Sequence, residues 1–448
     1  MIVDTQQTNT LRVRWSQNSP TTPSPPRKER PKEDHDHAVE RKWNMRSIQI
    51  FLFWAFAKSK LRYYLGLYTF MVTVFLHYSA GGVGTLVTDF NPELQFHHLR
   101  RPKPAAVSVQ STLIQSQMQT IQPSTNANIV TYTIPDAAKH ELEHEFHQLV
   151  WHDKDSVQST IAFIEQAKRI LQEQLIQGDV ELQRILNDLV TESAETEAVI
   201  FENLPMDRMI PATPTDGSIR LHKPTFVAEA ILTAMGELAG THVVGYKAEK
   251  QYSNPWVHEG FPRPKGPSSA LTAASQVDLH QDMSYQGVIP DLLGLVCLRE
   301  GQDTQVETTL VSVEKLVQVM PANVVSVLRQ PRFRIEAAGW VDTNEVDITK
   351  TRSVLDGKSL HLPVHWENMV GADAEATEAI SALRKYLSEL HASGLHLTDG
   401  VMVIFNNQKV IHGRTPYVNL KFDGTDRVVL RSYFVKHLDG EAKETRML

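Results

Sequence analysis

The stretch VDLHQDMSYQG, residues 277–287, decides how the rest of the chain is read. On a strand, residues i and i+2 point to the same face, so His280 and Asp282 can both reach one metal. Two ligands do not make a site. A third comes from VMVIFNNQKVIHGRTPY, residues 401–417, where a β-branched run feeds through an Asn406-Asn407 turn into His412. An H-x-D pair joined at long range by a single His has the composition of a 2-His-1-carboxylate facial triad, which leaves coordination positions open on Fe(II). Open positions are what oxygen chemistry requires.

The stretch DRVVLRSYFV, residues 426–435, adds a second constraint. Its alternation puts Arg427, Val429, Arg431 and Tyr433 on one face and Val428, Leu430, Ser432 and Phe434 on the other. An inward-facing Arg is costly unless it meets an anion, and its planar fork suits a carboxylate. The arginines follow His412 by 15 and 19 residues, the order expected if a dicarboxylate lies between metal and guanidinium. The plain alternative makes His280 a core histidine, His412 a loop residue and the arginines surface partners. That alternative has to hold for all of them at once.

With these pieces in place a family resemblance is evident. The stretches LHQDMSYQGVIPDLLGLVCLRE (279–300), VETTLVS (306–312), DGVMVIFNNQKVIHGRTPY (399–417) and FDGTDRVVLRSYFV (422–435) carry it. They resemble the clavaminate synthase-like, TauD-type branch of the Fe(II)/2-oxoglutarate dioxygenases, which includes asparagine and arginine β-hydroxylases. The resemblance covers roughly residues 195–437, starting near FENLPMDRMIPATPTDG. It implies an α+β fold with a double-stranded β-helix, or jelly-roll, core flanked by helices. It implies Fe(II) on His280, Asp282 and His412, with 2-oxoglutarate and O2 as cosubstrates. Thr308, with Thr309 as the neighbouring choice, matches the threonine that helps hold 2-oxoglutarate. Arg427 matches the arginine that pairs with the distal carboxylate in close relatives, while the TauD branch points nearer to Arg431. Close relatives carry H-x-E where this chain has His280-Gln281-Asp282. Asp is common in the wider superfamily, and a carboxylate there implies hydroxylation, desaturation or cyclisation rather than halogenation. Glu249, in Gly245-Tyr246-Lys247-Ala248-Glu249, matches the residue that binds a substrate's α-amino group. An amino acid or amino-acid-derived small molecule, oxidised with release of succinate and CO2, follows from the resemblance alone.

A competing metal signature lies upstream. AAKHELEHEFHQLVW, residues 137–151, contains a literal HExxH in His140, Glu141 and His144, with Glu165 available as a third ligand. Such spacing arises easily in a chain with 19 His and 52 acidic residues. Read as a helix, Ala138, Leu142, Phe146 and Leu149 form the apolar stripe, and both histidines point about 200° away from Leu142. A zinc protease remains the second function class, on a face that reads as solvated. A catalytically silent, membrane-tethered β-helix binding protein is the third.

Composition limits the remaining options. A net charge of -7 with interspersed signs gives no basic field for nucleic acid. The single cysteine, Cys297, excludes an intramolecular disulfide and any Cys-rich zinc module. Residues 1–47 read as a disordered polar tail. Residues 48–88 form a hydrophobic segment in which 64–87 is long enough for a membrane anchor. Basic residues before it place the tail in the cytosol if it spans, as a single-pass membrane-associated protein; without a span the chain is expected in the cytoplasm. Residues 89–130 read as linker, and 131–440 as the dioxygenase domain with a helical N-terminal part. One helical face is expected at Ile161, Ile164, Lys168, Leu171 and Leu175. The Gly/Pro-rich run from Gly245 to Ser275 reads as a loop that forms a lid or substrate wall.

Overall fold

The computed structural model of the chain describes residues 125–249, 252, 254–264, 271–336, 350–390, 392 and 394–448. The tail 1–47 and the hydrophobic segment 48–88, with its candidate anchor 64–87, lie outside the described residues. Among the described residues no helix is long and apolar enough to cross a membrane. Residues 125–130, read from composition as linker, belong to the packed unit. Thr125 and Ala127 are buried, and strand β1 (Ile129–Thr133) begins there.

A helical preface connects β1 to its parallel partner β2 (Ala198–Glu202). Its first helix, α1 (Asp136–Gln148), buries Leu142 and Phe146, as its stripe predicts. Helix α2 (Val157–Leu171) starts at Ser156, whose hydroxyl accepts from the Ser159 amide, and α3 (Val180–Val190) starts at Asp179, which accepts from Leu182. The buried face of α2 is Thr160, Phe163, Ile164, Ala167 and Leu171. That face is rotated from the expected one: Ile161 and Lys168 sit at its edges, and Phe163 and Ala167 are at its centre. The cause is α4 (Val227–Leu238), a helix buried on nearly every side, which packs along α2. Asp207 caps α4 by accepting from the Val227 and Ala228 amides.

Apart from two small two-stranded pairs, Leu355–Asp356 with Ser359–Leu360 and Phe333–Ile335 with Met369–Gly371, the strands after α4 build two main sheets. They are β3 (His242–Val244), β4 (His258–Gly260), β5 (Val277–His280), β6 (Leu292–Arg299), β7 (Thr308–Ser312), β8 (Gly394–Leu395), β9 (Met402–Asn406), β10 (Val410–Arg414) and β11 (Val428–Val435). The larger sheet runs β1-β2-β9-β6-β11-β3, with β4 also on β11, and the smaller runs β8-β7-β10-β5. This two-sheet architecture with flanking helices is the expected jelly roll.

Alternation then assigns each side chain to a layer. Val428, Leu430 and Phe434 of β11 join Met402 and Ile404 of β9 in the core under the helices. Val403, Phe405 and Tyr433 face the opposite core, between the sheets. Each fully buried side chain of this size contributes about 1.5–3 kcal/mol, so a one-residue slip of β11 would expose much of the core. Close approach of α4 to this sheet needs Gly236, where a Cβ would fall 2.0 Å from the Phe434 ring. The register therefore holds Arg427, Val429 and Arg431 toward the interior between the sheets.

Candidate metal centre

Strand pairing brings the two histidines together. On the smaller sheet His412 of β10 lies opposite His280 of β5, and its other neighbour is Leu310 of β7. Directly opposed residues have adjacent side chains, and the two imidazole centroids are 4.2 Å apart. Asp282 arrives by a different route from the one expected. Strand β5 ends at His280, and Asp282 sits in a turn followed by Met283 at a left-handed φ of 60°. The turn, rather than strand alternation, swings the carboxylate back. Asp282 Oδ1 is then 3.4 Å from His280 Nε2, and Oδ2 is 3.8 Å from His412 Nε2. All three residues are buried, and among the described residues theirs is the one group of His, Cys, Asp or Glu close enough to hold a metal, with ligand atoms within 4.8 Å of one another.

The electrostatics keep these groups in ligating form. Burial alone would raise the Asp282 carboxyl, but Arg431 and the two histidines outweigh it and hold it ionised, far below the usual range. Burial, with His280 alongside, pushes His412 down to about 3, so its imidazole is neutral. His280 Nδ1 lies 2.8 Å from the Asp278 carbonyl, which requires Nδ1–H and leaves the Nε2 lone pair pointing into the site.

Beside the triad lies a buried cluster centred on Arg431. Its Nη1 donates to Asp282 Oδ2 (3.1 Å), and its Nη2 donates to His258 Nδ1 (2.9 Å) and the Tyr252 hydroxyl (3.2 Å). His258 stacks on Tyr252 at 4.0 Å. Burial, then the Arg431 charge, holds His258 neutral, with Nε2–H donating to the Pro255 carbonyl. Glu249 completes the cluster at 3.9 Å from Arg431 Nη2. Burial raises its carboxyl to about 8, against the pull of Arg431 and with the push of Asp282.

A cleft opens over the triad. Thr308, Arg427 and Arg431 line it on the polar side, and Leu271, Leu295 and Val429 on the apolar side. Arg427 donates to the Leu397 carbonyl (2.8 Å). Thr309 lines a separate cavity with Trp366 and Asp278, because strand alternation turns it away from Thr308. Arg414 also lines the cleft, but it donates to the Ala273 and Ser275 carbonyls and so ties down the wall beside it.

Several features were not legible beforehand. His258 and Tyr252 lie in the run read as a loop, yet part of that run is β4, paired with β11, and Trp256, Val257 and Phe261 within it are buried. It is a wall of the sheet at that point rather than a lid. A lone histidine between Gly/Pro clusters carries no periodic signal. The upstream HExxH falls where its helical phase put it. His140 and His144 are exposed, His144 lies against Gln148 (2.8 Å), and no third ligand joins them among the described residues. The zinc-protease reading is therefore corrected.

Residues 227–433 match the family described as taurine catabolism dioxygenase TauD, TfdA family. They form a TauD/TfdA-family oxygenase domain. Clavaminate synthase 2 of Streptomyces clavuligerus is 26% identical to this oxygenase over 254 residues, spanning 55% of this chain and 77% of that protein. L-lysine 3-hydroxylase of Catenulispora acidiphila is 25% identical over 254 residues, 53% of this chain and 66% of that protein. Among solved structures, an asparagine oxygenase in complex with Fe(II), 2S,3S-3-hydroxyasparagine and succinate superposes with a TM-score of 0.59 at 18% identity, covering 71% of this chain and 98% of that one. The non-heme iron oxygenase OrfP in complex with Fe and alpha-ketoglutaric acid gives 0.58 at 20% identity, covering 71% and 99%. The enzyme is an Fe(II)/2-oxoglutarate-dependent dioxygenase. Its residues fit that metal: two imidazoles and one ionised carboxylate converge, with the His280 Nδ1 held by a backbone carbonyl so that its Nε2 faces the site.

Proposed function

We propose that this oxygenase hydroxylates an unactivated C–H of an amino acid or an amino-acid-derived small molecule. The observation that carries the reading is the buried Arg431–Glu249 pair beside the triad, a fixed positive and a titratable negative group within 3.9 Å of each other. The Glu249 carboxylate suits an α-ammonium, and the Arg431 charge beside it favours the ionised form that such recognition needs. The amino-acid relatives above support the same substrate class.

In this reading His280, Asp282 and His412 hold Fe(II). Bound iron supplies O2 activation coupled to oxidative decarboxylation of 2-oxoglutarate, so that one oxygen atom ends in succinate and the other in the product hydroxyl, with CO2 released. The chain's own residues do the placing. Arg427 and Thr308, both at the cleft, anchor the distal carboxylate of 2-oxoglutarate. Arg431 is already engaged by Asp282, His258 and Tyr252, which favours Arg427 for that task. Glu249 receives the substrate amine, for which it must give up its proton. Leu271, Leu295 and Val429 exclude water from the reacting carbon. Membrane attachment through 64–87 is proposed separately and is read by fractionation with protease protection. The substrate class is tested by succinate release across free amino acids and their conjugates. Turnover confined to substrates with a free α-amino group supports it, and equal turnover of N-acetylated forms contradicts it.

A further inference from the structure

We infer that Asn407 is a positioning residue for the metal centre, holding the turn that carries Asp282 against the β9–β10 turn that leads to His412. The inference rests on the assignment of His280, Asp282 and His412 as ligands.

Asn407 is fully buried in the turn between β9 and β10. Its side-chain Oδ1 accepts from the Asp282 amide (3.3 Å), and its Nδ2 donates to the Asp282 carbonyl (3.2 Å) and to the Pro290 carbonyl (3.2 Å). Both backbone groups of one ligand residue are thus held by one side chain. Its main chain is held as well: the amide donates to the Asp291 carbonyl (2.9 Å), and the Asn407 carbonyl accepts from Gln281 Nε2 (2.9 Å). Asn406 Oδ1 fixes the turn itself by accepting from the Gln408 and Lys409 amides.

Two features make this clamp consequential. An aspartate has one methylene fewer than a glutamate, so its carboxylate follows its backbone closely and cannot absorb a backbone shift with an extra torsion. Met283, the next residue, is a non-glycine residue in left-handed backbone, a conformation that persists only where its surroundings hold it. Asn407 supplies that restraint from the turn that leads into β10, the strand that carries His412. One buried amide therefore sets the distance between two ligands that are far apart in sequence.

The test uses the full chain as apo-enzyme, titrated with Co(II) and followed by its visible d–d absorption and by thermal unfolding of the apo form. Asn407→Ala is expected to bind Co(II) about ten- to hundredfold more weakly, with an altered d–d spectrum. Asn407→Asp keeps the acceptor and loses the donor, so a smaller loss is expected. Gln408→Ala removes bonds to the Ile289 and Pro290 carbonyls and the one accepted from the Ser359 hydroxyl, but none to Asp282, and should bind as wild type does. Wild-type affinity and spectrum in Asn407→Ala would overturn the inference, as would an equal loss in Gln408→Ala. If Asn407→Ala does not fold, Asn407→Asp decides alone, and wild-type binding by it overturns the inference. His280→Ala separates the two levels: if it too binds Co(II) normally, the ligand assignment fails rather than the role of Asn407.

Discussion

Helix α1 and the β5–β10 pair carry the same ingredients, two histidines and nearby carboxylates, with opposite outcomes. On α1 the histidines sit a helical turn apart on the solvated face, opposite Leu142 and Phe146. Any carboxylate near them is free to move into water, and ligand preorganisation has no source. Between β5 and β10 the histidines are brought together by strand register, across 132 residues of sequence, in a buried layer. There a charged group persists only if it is paired, and Arg431 and Asp282 pair. Local spacing made the first pattern conspicuous. Burial and register make the second one usable.

The contrast can be broken in order of expected effect. His280→Ala or His412→Ala should abolish succinate release, and retained turnover in either would break it outright. Next, Arg427→Ala removes a charged hydrogen-bonding partner worth about 1.5–3 kcal/mol, so KM for 2-oxoglutarate should rise by roughly one to two orders of magnitude. KM for the amino-acid substrate should move much less. If Arg431→Ala instead raises the 2-oxoglutarate KM while leaving Asp282 and metal content intact, the two arginines exchange roles.

Glu249 gives a smaller and pH-dependent effect. Its carboxyl is raised by burial to about 8 in the folded chain from 4.5, so the folded state holds the proton more tightly. Its contribution to stability is therefore present below pH 4.5 and is lost as pH rises through about 8. Recognition of an ammonium needs the ionised form, so kcat/KM for the substrate should rise with pH up to about 8. Glu249→Gln should flatten that limb and remove the loss of stability between pH 4.5 and about 8. The same pH profile in wild type and Glu249→Gln would remove Glu249 from substrate recognition. Smallest of all, His140→Ala with His144→Ala should leave turnover unchanged and shift stability by no more than about 0.5 kcal/mol, as for exposed sites generally.

Much of this was legible because two periodicities were strong. The parity of β11 put Arg427 and Arg431 on one face and Val428, Leu430 and Phe434 on the other, as found. The apolar stripe of α1 placed Leu142 and Phe146 correctly. What failed depended on tertiary partners. The stripe of α2 was misphased because α4, not α2's own pattern, decides which face is covered. Asp282 was placed by strand alternation, whereas a turn clamped by Asn407 delivers it, and neither a left-handed Met283 nor a buried amide is written in local spacing. Thr308 and Thr309 were separable by alternation only once the orientation of β7 was fixed. His258 had no signal, since its role comes from Arg431 and Tyr433, both distant in sequence, and from the ring of Tyr252 in the same non-periodic stretch.

Metal stoichiometry tests the central claim most directly. The purified chain is titrated anaerobically with Fe(II), beside the Asp282→Ala variant and the His140→Ala/His144→Ala double variant. One equivalent bound by wild type and by the double variant, with none retained by Asp282→Ala, is the expected result. Loss of iron in the double variant, or full occupancy in Asp282→Ala, would contradict it.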